Sequence, residues 1–119
     1  MTAPNLRYAS SIVGNTLYYE PTTSLSAALT NAAASNEVYK INSIYCSNLT
    51  ATTVADITVS IQRSGVDYYI AKTISVPGSS TLMLGTKETY LYLQEGDTIR
   101  ASASANSNLS LSISYEVIS

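Results

Sequence analysis

Hydrophobic and polar residues alternate with a period of two over most of the chain, most cleanly at its C-terminal end. Leu109, Leu111, Ile113, Tyr115 and Val117 hold one parity, and Ser110, Ser112, Ser114 and Glu116 hold the other. Successive side chains of a strand point to opposite faces, so this segment predicts a strand buried on one face and wet on the other. Ile57, Val59 and Ile61 against Thr58, Ser60 and Gln62 predict a second, followed by the turn Ser64-Gly65-Val66-Asp67. Tyr68, Ile70, Ile74 and Val76 are then expected to share a face, which Lys72 interrupts at a bend or by reaching its ammonium to water. Pro77-Gly78-Ser79-Ser80 reads as a turn, with Pro presetting φ and Gly78 permitting positive φ. Short strands follow around Leu82–Leu84, ending at Gly85, and over Thr89–Leu93. The turn Gln94-Glu95-Gly96-Asp97 leads to Ile99, Ala101 and Ala103 on the next strand, and Asn106-Ser107-Asn108 forms the last loop.

The N-terminal third is less regular. Val38–Leu49 is strand-like but apolar on both faces, as expected of a strand that lies between two layers or covers an interface. In Ser24–Ala34 the alanines suit a helical turn, but the flanking Thr22, Thr23, Asn31 and Asn36 favour a strand followed by a loop. Leu6–Val13 and Asn15–Glu20 read as two short strands or an extended arm. The expectation is one all-β domain: residues 1–35 an N-terminal arm or short strands, and 36–119 the core of an antiparallel β-sandwich or jelly-roll-like fold, with roughly seven to nine short strands.

Composition narrows what such a domain does. Only 12% of residues are charged, about half the usual ~25%, and 19 serines and 14 threonines take their place. Hydroxyls are less costly to desolvate than ammonium or carboxylate groups, which suits a β-surface that meets other protein. The net charge of −2 is spread thinly, with no basic stripe for a phosphate backbone. No apolar run reaches the ~20 residues of a membrane helix. The opening Met1-Thr2-Ala3-Pro4-Asn5 has no signal-peptide pattern. A lone cysteine, Cys46, permits no internal disulfide. Synthesis in a reducing compartment is expected, with neither nucleic acid nor membrane as partner.

Catalytic chemistry is missing. With no histidine, the commonest general base and zinc ligand are both lost. Lys72 and Ser75, the one pair spaced to suggest a Ser–Lys nucleophile, fall on opposite faces of a regular strand. The eight acids mostly flank turns rather than converge in a cleft. Glu95 and Asp97 around Gly96 suit a turn better than a calcium site, which needs several further oxygens. The glycines are scattered singly, so no phosphate loop exists. Cys46 reads as a small buried hydrophobe. The sequons at Asn48 and Asn108 read as turn residues rather than glycosylation sites. Neither enzyme activity nor a cofactor or metal is expected.

Tyrosine is the enriched feature with a functional edge: all ten aromatics are Tyr. Its large ring with a polar tip suits interfaces. On a strand, one member of Tyr18-Tyr19 and one of Tyr68-Tyr69 must lie outside the core, and Tyr90 and Tyr92 must share a face.

These segments resemble a known group. Lys40–Ile61 (KINSIYCSNLTATTVADITVSI) resembles the first core hairpin of small virion proteins of tailed bacteriophages. The resemblance continues through Tyr69-Ile70-Ala71-Lys72, Ile74-x-Val76-Pro77-Gly78, Leu91-x-Leu93-x-x-Gly96-Asp97-x-Ile99 and Ser114-Tyr115-Glu116, covering about residues 38–118. It rests on turn chemistry and β-alternation, and implies a β-sandwich head decoration (cement) protein, or a tail, neck or fibre module. The implied role is a homo-oligomer, dimer or trimer, binding the major capsid protein or other virion proteins on the outside of a head. The implied location is the virion, after synthesis in the host cytoplasm. No catalytic residue is carried over. Leu6, Tyr8, Tyr18 and Tyr19 are expected to make subunit or capsid contacts, because that segment has apolar anchors without regular alternation. Tyr69, Tyr90 and Tyr92 are the candidates for the same interface, or for cell-surface glycan recognition if the chain is a tail or fibre module.

Overall fold

A computed structural model describes residues 8–119 of the chain. The described residues form nine strands: β1 (Ile12–Tyr19), β2 (Ser26–Thr30), β3 (Val38–Asn48), β4 (Ala55–Arg63), β5 (Val66–Val76), β6 (Thr81–Gly85), β7 (Leu91–Leu93), β8 (Thr98–Ala103) and β9 (Leu109–Ile118). One sheet has the order β1-β9-β3-β6, with β7 also paired to β3, and the other the order β2-β8-β4-β5. Every pairing is antiparallel. The pairs nest: β4 with β5, β3 with β6 and β7, β2 with β8, β1 with β9. A long hairpin rolled up on itself gives this order, so the expected β-sandwich is present with jelly-roll connectivity.

Alternation determines which side of each strand is buried. Leu109, Leu111 and Ile113 of β9 pack between the sheets against Ile44 and Cys46 of β3, Ile57 and Val59 of β4, and Ile99 and Ala101 of β8. β3, Val38–Asn48, is a central strand, paired with β9 on one side and with β6 and β7 on the other. The register shift between Ile41 and Ser43 switches its parity, so that Tyr39 and Ile41 before it and Ile44 and Cys46 after it pack on the same core. Ser24–Ala34 is a strand and then a loop. Ile12–Tyr19 is one continuous strand on β9, running through the position where two short segments or an arm were expected.

Two strand readings change. Tyr68, Ile70, Ile74 and Val76 do not share one environment: Val76 is buried, Ile70 half-buried, and Tyr68 and Ile74 exposed. Register shifts in the β4–β5 ladder interrupt the alternation, with Thr73 at φ 55°, so the bend falls beside Lys72. The segment from Thr89 to Leu93 is strand only from Leu91, because a 3-10 turn over Lys87–Thr89 precedes it.

The turn read over Ser64-Gly65-Val66-Asp67 is confined to Ser64 and Gly65, since Val66 and Asp67 are already paired with β4. Ser64 and Gly65 both have positive φ in the two-residue β4–β5 hairpin, whose twist matches its strands. Near Pro77, however, the residue with positive φ is Ser79, and Gly78 is needed for space. A Cβ on Gly78 would sit 2.7 Å from the Ala51 carbonyl oxygen.

Buried polar side chains close the ends of the sandwich. Asn31, fully buried after β2, donates from Nδ2 to the Glu37 and Leu93 carbonyls, each at 3.0 Å, and accepts from Ser35 Oγ at 2.6 Å. Asn48 does the same at the end of β3, donating to the Thr53 and Val76 carbonyls at 2.7 and 2.8 Å and accepting from the Thr50 amide and hydroxyl. Its burial fits a structural amide. Asp97 is also buried, and its carboxylate is held by Arg63 and the Gln94 amide.

Candidate interaction face

The β1–β9–β3 registers determine which residues line the outside of the first sheet, because directly opposed residues share a face. Ile12, Gly14, Thr16 and Tyr18 of β1 oppose Ile118, Glu116, Ser114 and Ser112 of β9. Those in turn oppose Val38, Lys40, Ser43 and Tyr45 of β3, although the Val38–Ile118 pair is buried and does not contribute to the exposed face. Tyr45 meets Met83 of β6, and Lys40 meets Tyr92 of β7. The result is a shallow floor of Thr16, Ser43, Ser112 and Ser114 with aromatic and apolar groups around it. Small hydroxyl side chains keep the floor low, and the strand twist leaves it without walls.

Tyr18 stands most clear of the surface, at 73% exposed, and Met83 is also exposed. At the opposite margin, Tyr90 and Tyr92 make an edge-on contact with ring centroids 5.4 Å apart. The Lys40 ammonium lies 4.5 Å from the centre of the Tyr90 ring, where the electron-rich face of the ring attracts it. Burial first, then the neighbouring Tyr90, with a further contribution from Glu116, pushes the Tyr92 phenol above its ordinary value. Asn42, at the register shift of β3, donates to Glu116 Oε1 at 2.9 Å. Its own Oδ1 is buried with no hydrogen-bond partner among the described residues.

The second sheet has a different exterior. Arg100 of β8 holds Asp67 of β5 at 3.1 Å and donates to the Leu25 carbonyl at 2.8 Å, and Ser60 donates to Asp67 at 3.1 Å. This charge network satisfies itself. Beside it, Lys72 lies 4.9 Å from the centre of the exposed Tyr69 ring.

The tyrosines singled out in the sequence therefore separate. Tyr18, Tyr90 and Tyr92 share the outer face of the first sheet. Tyr69 lies on the outside of the second. Tyr19 points inward and packs on the core. Tyr8 is exposed ahead of β1, and Leu6 lies outside the described residues. Sequence reasoning missed Tyr45, Met83, Lys40 and Glu116. Tyr45 was legible in part, since its parity opposes that of Ile44 and Cys46. Met83 needed the β3–β6 register.

Among the described residues no His, Cys, Asp and Glu side chains cluster to hold a metal, and no ligand-sized pocket opens. What this face offers chemically is flat contact: stacking on Tyr rings, hydroxyl donors and acceptors, and one opposed Lys40–Glu116 pair. No protein-family model matches the chain, and no curated protein matches it.

Proposed function

We propose that this chain is a structural protein of a virus particle, a cement or decoration protein that lays the outer face of its first sheet on the outside of a phage head and stabilises the shell. The observation that carries the reading is the form of that face. It is broad, shallow and nearly uncharged, with exposed Tyr18, Tyr90 and Met83 around a hydroxyl floor. A surface of this kind suits a flat protein partner, where Tyr provides contact area with few torsions to freeze. The jelly-roll itself does not select the function, since such folds also serve as lectins and enzymes. The resemblance of residues 38–118 to small virion proteins supports the same reading, as does the low charge.

The partner is the major capsid protein or a neighbouring virion protein. Each contact is weak alone, and a subunit spanning neighbouring capsomers gains by effective concentration. The test adds purified protein to shells that lack it and follows co-sedimentation and the temperature of shell rupture. Saturable binding, on the order of hundreds of copies per shell, with a raised rupture temperature supports cement. Failure to bind shells, together with binding on a glycan array, overturns it in favour of a tail or fibre module.

A further inference from the structure

We infer that a second copy of this chain pairs with the edge of β1 that no other described strand occupies, forming a two-fold dimer whose first sheets run on into one another. The inference is independent of what the outer face binds.

The direction of the backbone groups comes first. Beside β1, the Ser11 amide donates to the Ser119 carbonyl at 3.0 Å and the Ser119 amide returns a bond to the Ser11 carbonyl at 2.9 Å. Such a reciprocal pair fixes the phase of an antiparallel ladder, because bonded and non-bonded pairs alternate. Carried along the β1–β9 register, it turns the N–H and C=O groups of Val13, Asn15, Leu17 and Tyr19 toward β9. Those of Ile12, Gly14, Thr16 and Tyr18 point out of the sheet along its open edge.

This edge is unlike the others. β5 is bulged and carries Asp67 and Lys72. β2 is short and shifts register. β6 and β7 are two halves of one edge, broken by the 3-10 turn. Bulges, charges and short runs are the usual means of preventing edge-to-edge pairing. β1 has none of them: eight residues, no charge, no proline and no register shift. Gly14 sits mid-strand, where glycine weakens a strand, and a Cβ there would meet nothing within 4 Å of the isolated chain.

The strand is also self-complementary about Asn15. With Asn15 opposite its own copy, Ile12 faces Tyr18, Val13 faces Leu17 and Gly14 faces Thr16, each pair on one face. Three of these apolar side chains are strongly exposed in the single chain: Ile12 at 60%, Val13 at 52% and Tyr18 at 73%. In this register Ile12–Tyr18 and Gly14–Thr16 become the hydrogen-bonded pairs, as the outward groups require. A two-fold contact of this kind closes on itself rather than growing into a fibre. It also sets the two outer faces side by side.

The test uses the full chain. Sedimentation is expected to give twice the chain mass. Asn15→Cys should form an intermolecular disulfide readily, because its non-bonded self-pair falls within disulfide reach, while Val13→Cys should not. Cys46 is buried and does not compete. Thr16→Pro removes an outward N–H that β9 does not use, so it should give a folded monomer. The inference is overturned by a wild-type chain that stays monomeric at millimolar protein, by equal cross-linking of the two cysteine variants, or by a dimer that Thr16→Pro leaves intact. If Thr16→Pro fails to fold, the contrast between the cysteines decides.

Discussion

Arg63 forks onto Asp97, its Nε donating to Oδ1 at 2.8 Å and its Nη2 to Oδ2 at 2.5 Å. The arginine side chain is half-exposed, but the carboxylate is buried. The pair ties the end of β4 to the turn before β8, and Asp97 also accepts from the Gln94 amide that opens that turn. Removing the arginine leaves a buried acceptor with less than its full set of donors. Arg63→Ala should destabilise the fold by about 1–2 kcal/mol, the range for a partly screened charged hydrogen bond. Arg63→Lys should recover only part, because an ammonium cannot form the fork. Urea midpoints of the three proteins decide it.

Asn31 sets the geometry of the adjoining loop through an amide that donates twice and accepts once. Asn31→Asp keeps the shape but turns both donors into acceptors facing the Glu37 and Leu93 carbonyls. A loss on the order of 3 kcal/mol is expected at neutral pH, larger than for most surface changes. Equal stability of the variant and the parent in denaturant titration would contradict the assignment.

Gly78→Ala should cost about 1–3 kcal/mol through overpacking, because the added carbon meets only backbone atoms of Ala51 and Thr52, between 2.7 and 2.9 Å away. No side chain can swing aside there. The readout is thermal unfolding of the two proteins.

Cys46 predicts a pH dependence. Burial pushes its thiol up from 9.0 to about 11. A folded value above the unfolded one means the folded state holds the proton more tightly. The stability it contributes is full below pH 9 and is lost as pH rises through about 11. Denaturation midpoints should fall over that window, and Cys46→Ala should flatten the fall. A thiol reagent at neutral pH should label the native chain far more slowly than the unfolded one.

Much of this architecture was legible in residue order because the alternation in β4, β8 and β9 matches a pleat of period two. Asn48 and Asp97 were recognisable as turn residues, but not as buried organisers, since their partners Val76 and Arg63 are distant in sequence. The failure at Tyr68–Val76 has one cause: register shifts that the composition of β5 does not announce. The reason for Gly78 was hidden because its constraint is the Ala51 backbone, on another loop. The face itself was half visible. Serines at alternate positions of β9 marked a wet side, but only strand order puts Tyr18, Tyr45 and Tyr92 on it together.

The central claim is that the outer face of the first sheet contacts the shell, and one substitution tests it most directly. Ser114 lies on the floor between Thr16 and Ser43, away from the core. Ser114→Arg places a long charged side chain there without touching the buried rows. The measurement is the binding isotherm of wild type and variant on shells lacking the protein, with the unfolding midpoint of each followed in parallel. The account predicts at least a tenfold loss of affinity, about 1.4 kcal/mol, at unchanged stability. A variant that saturates the shells at the wild-type concentration would show that the contact lies elsewhere.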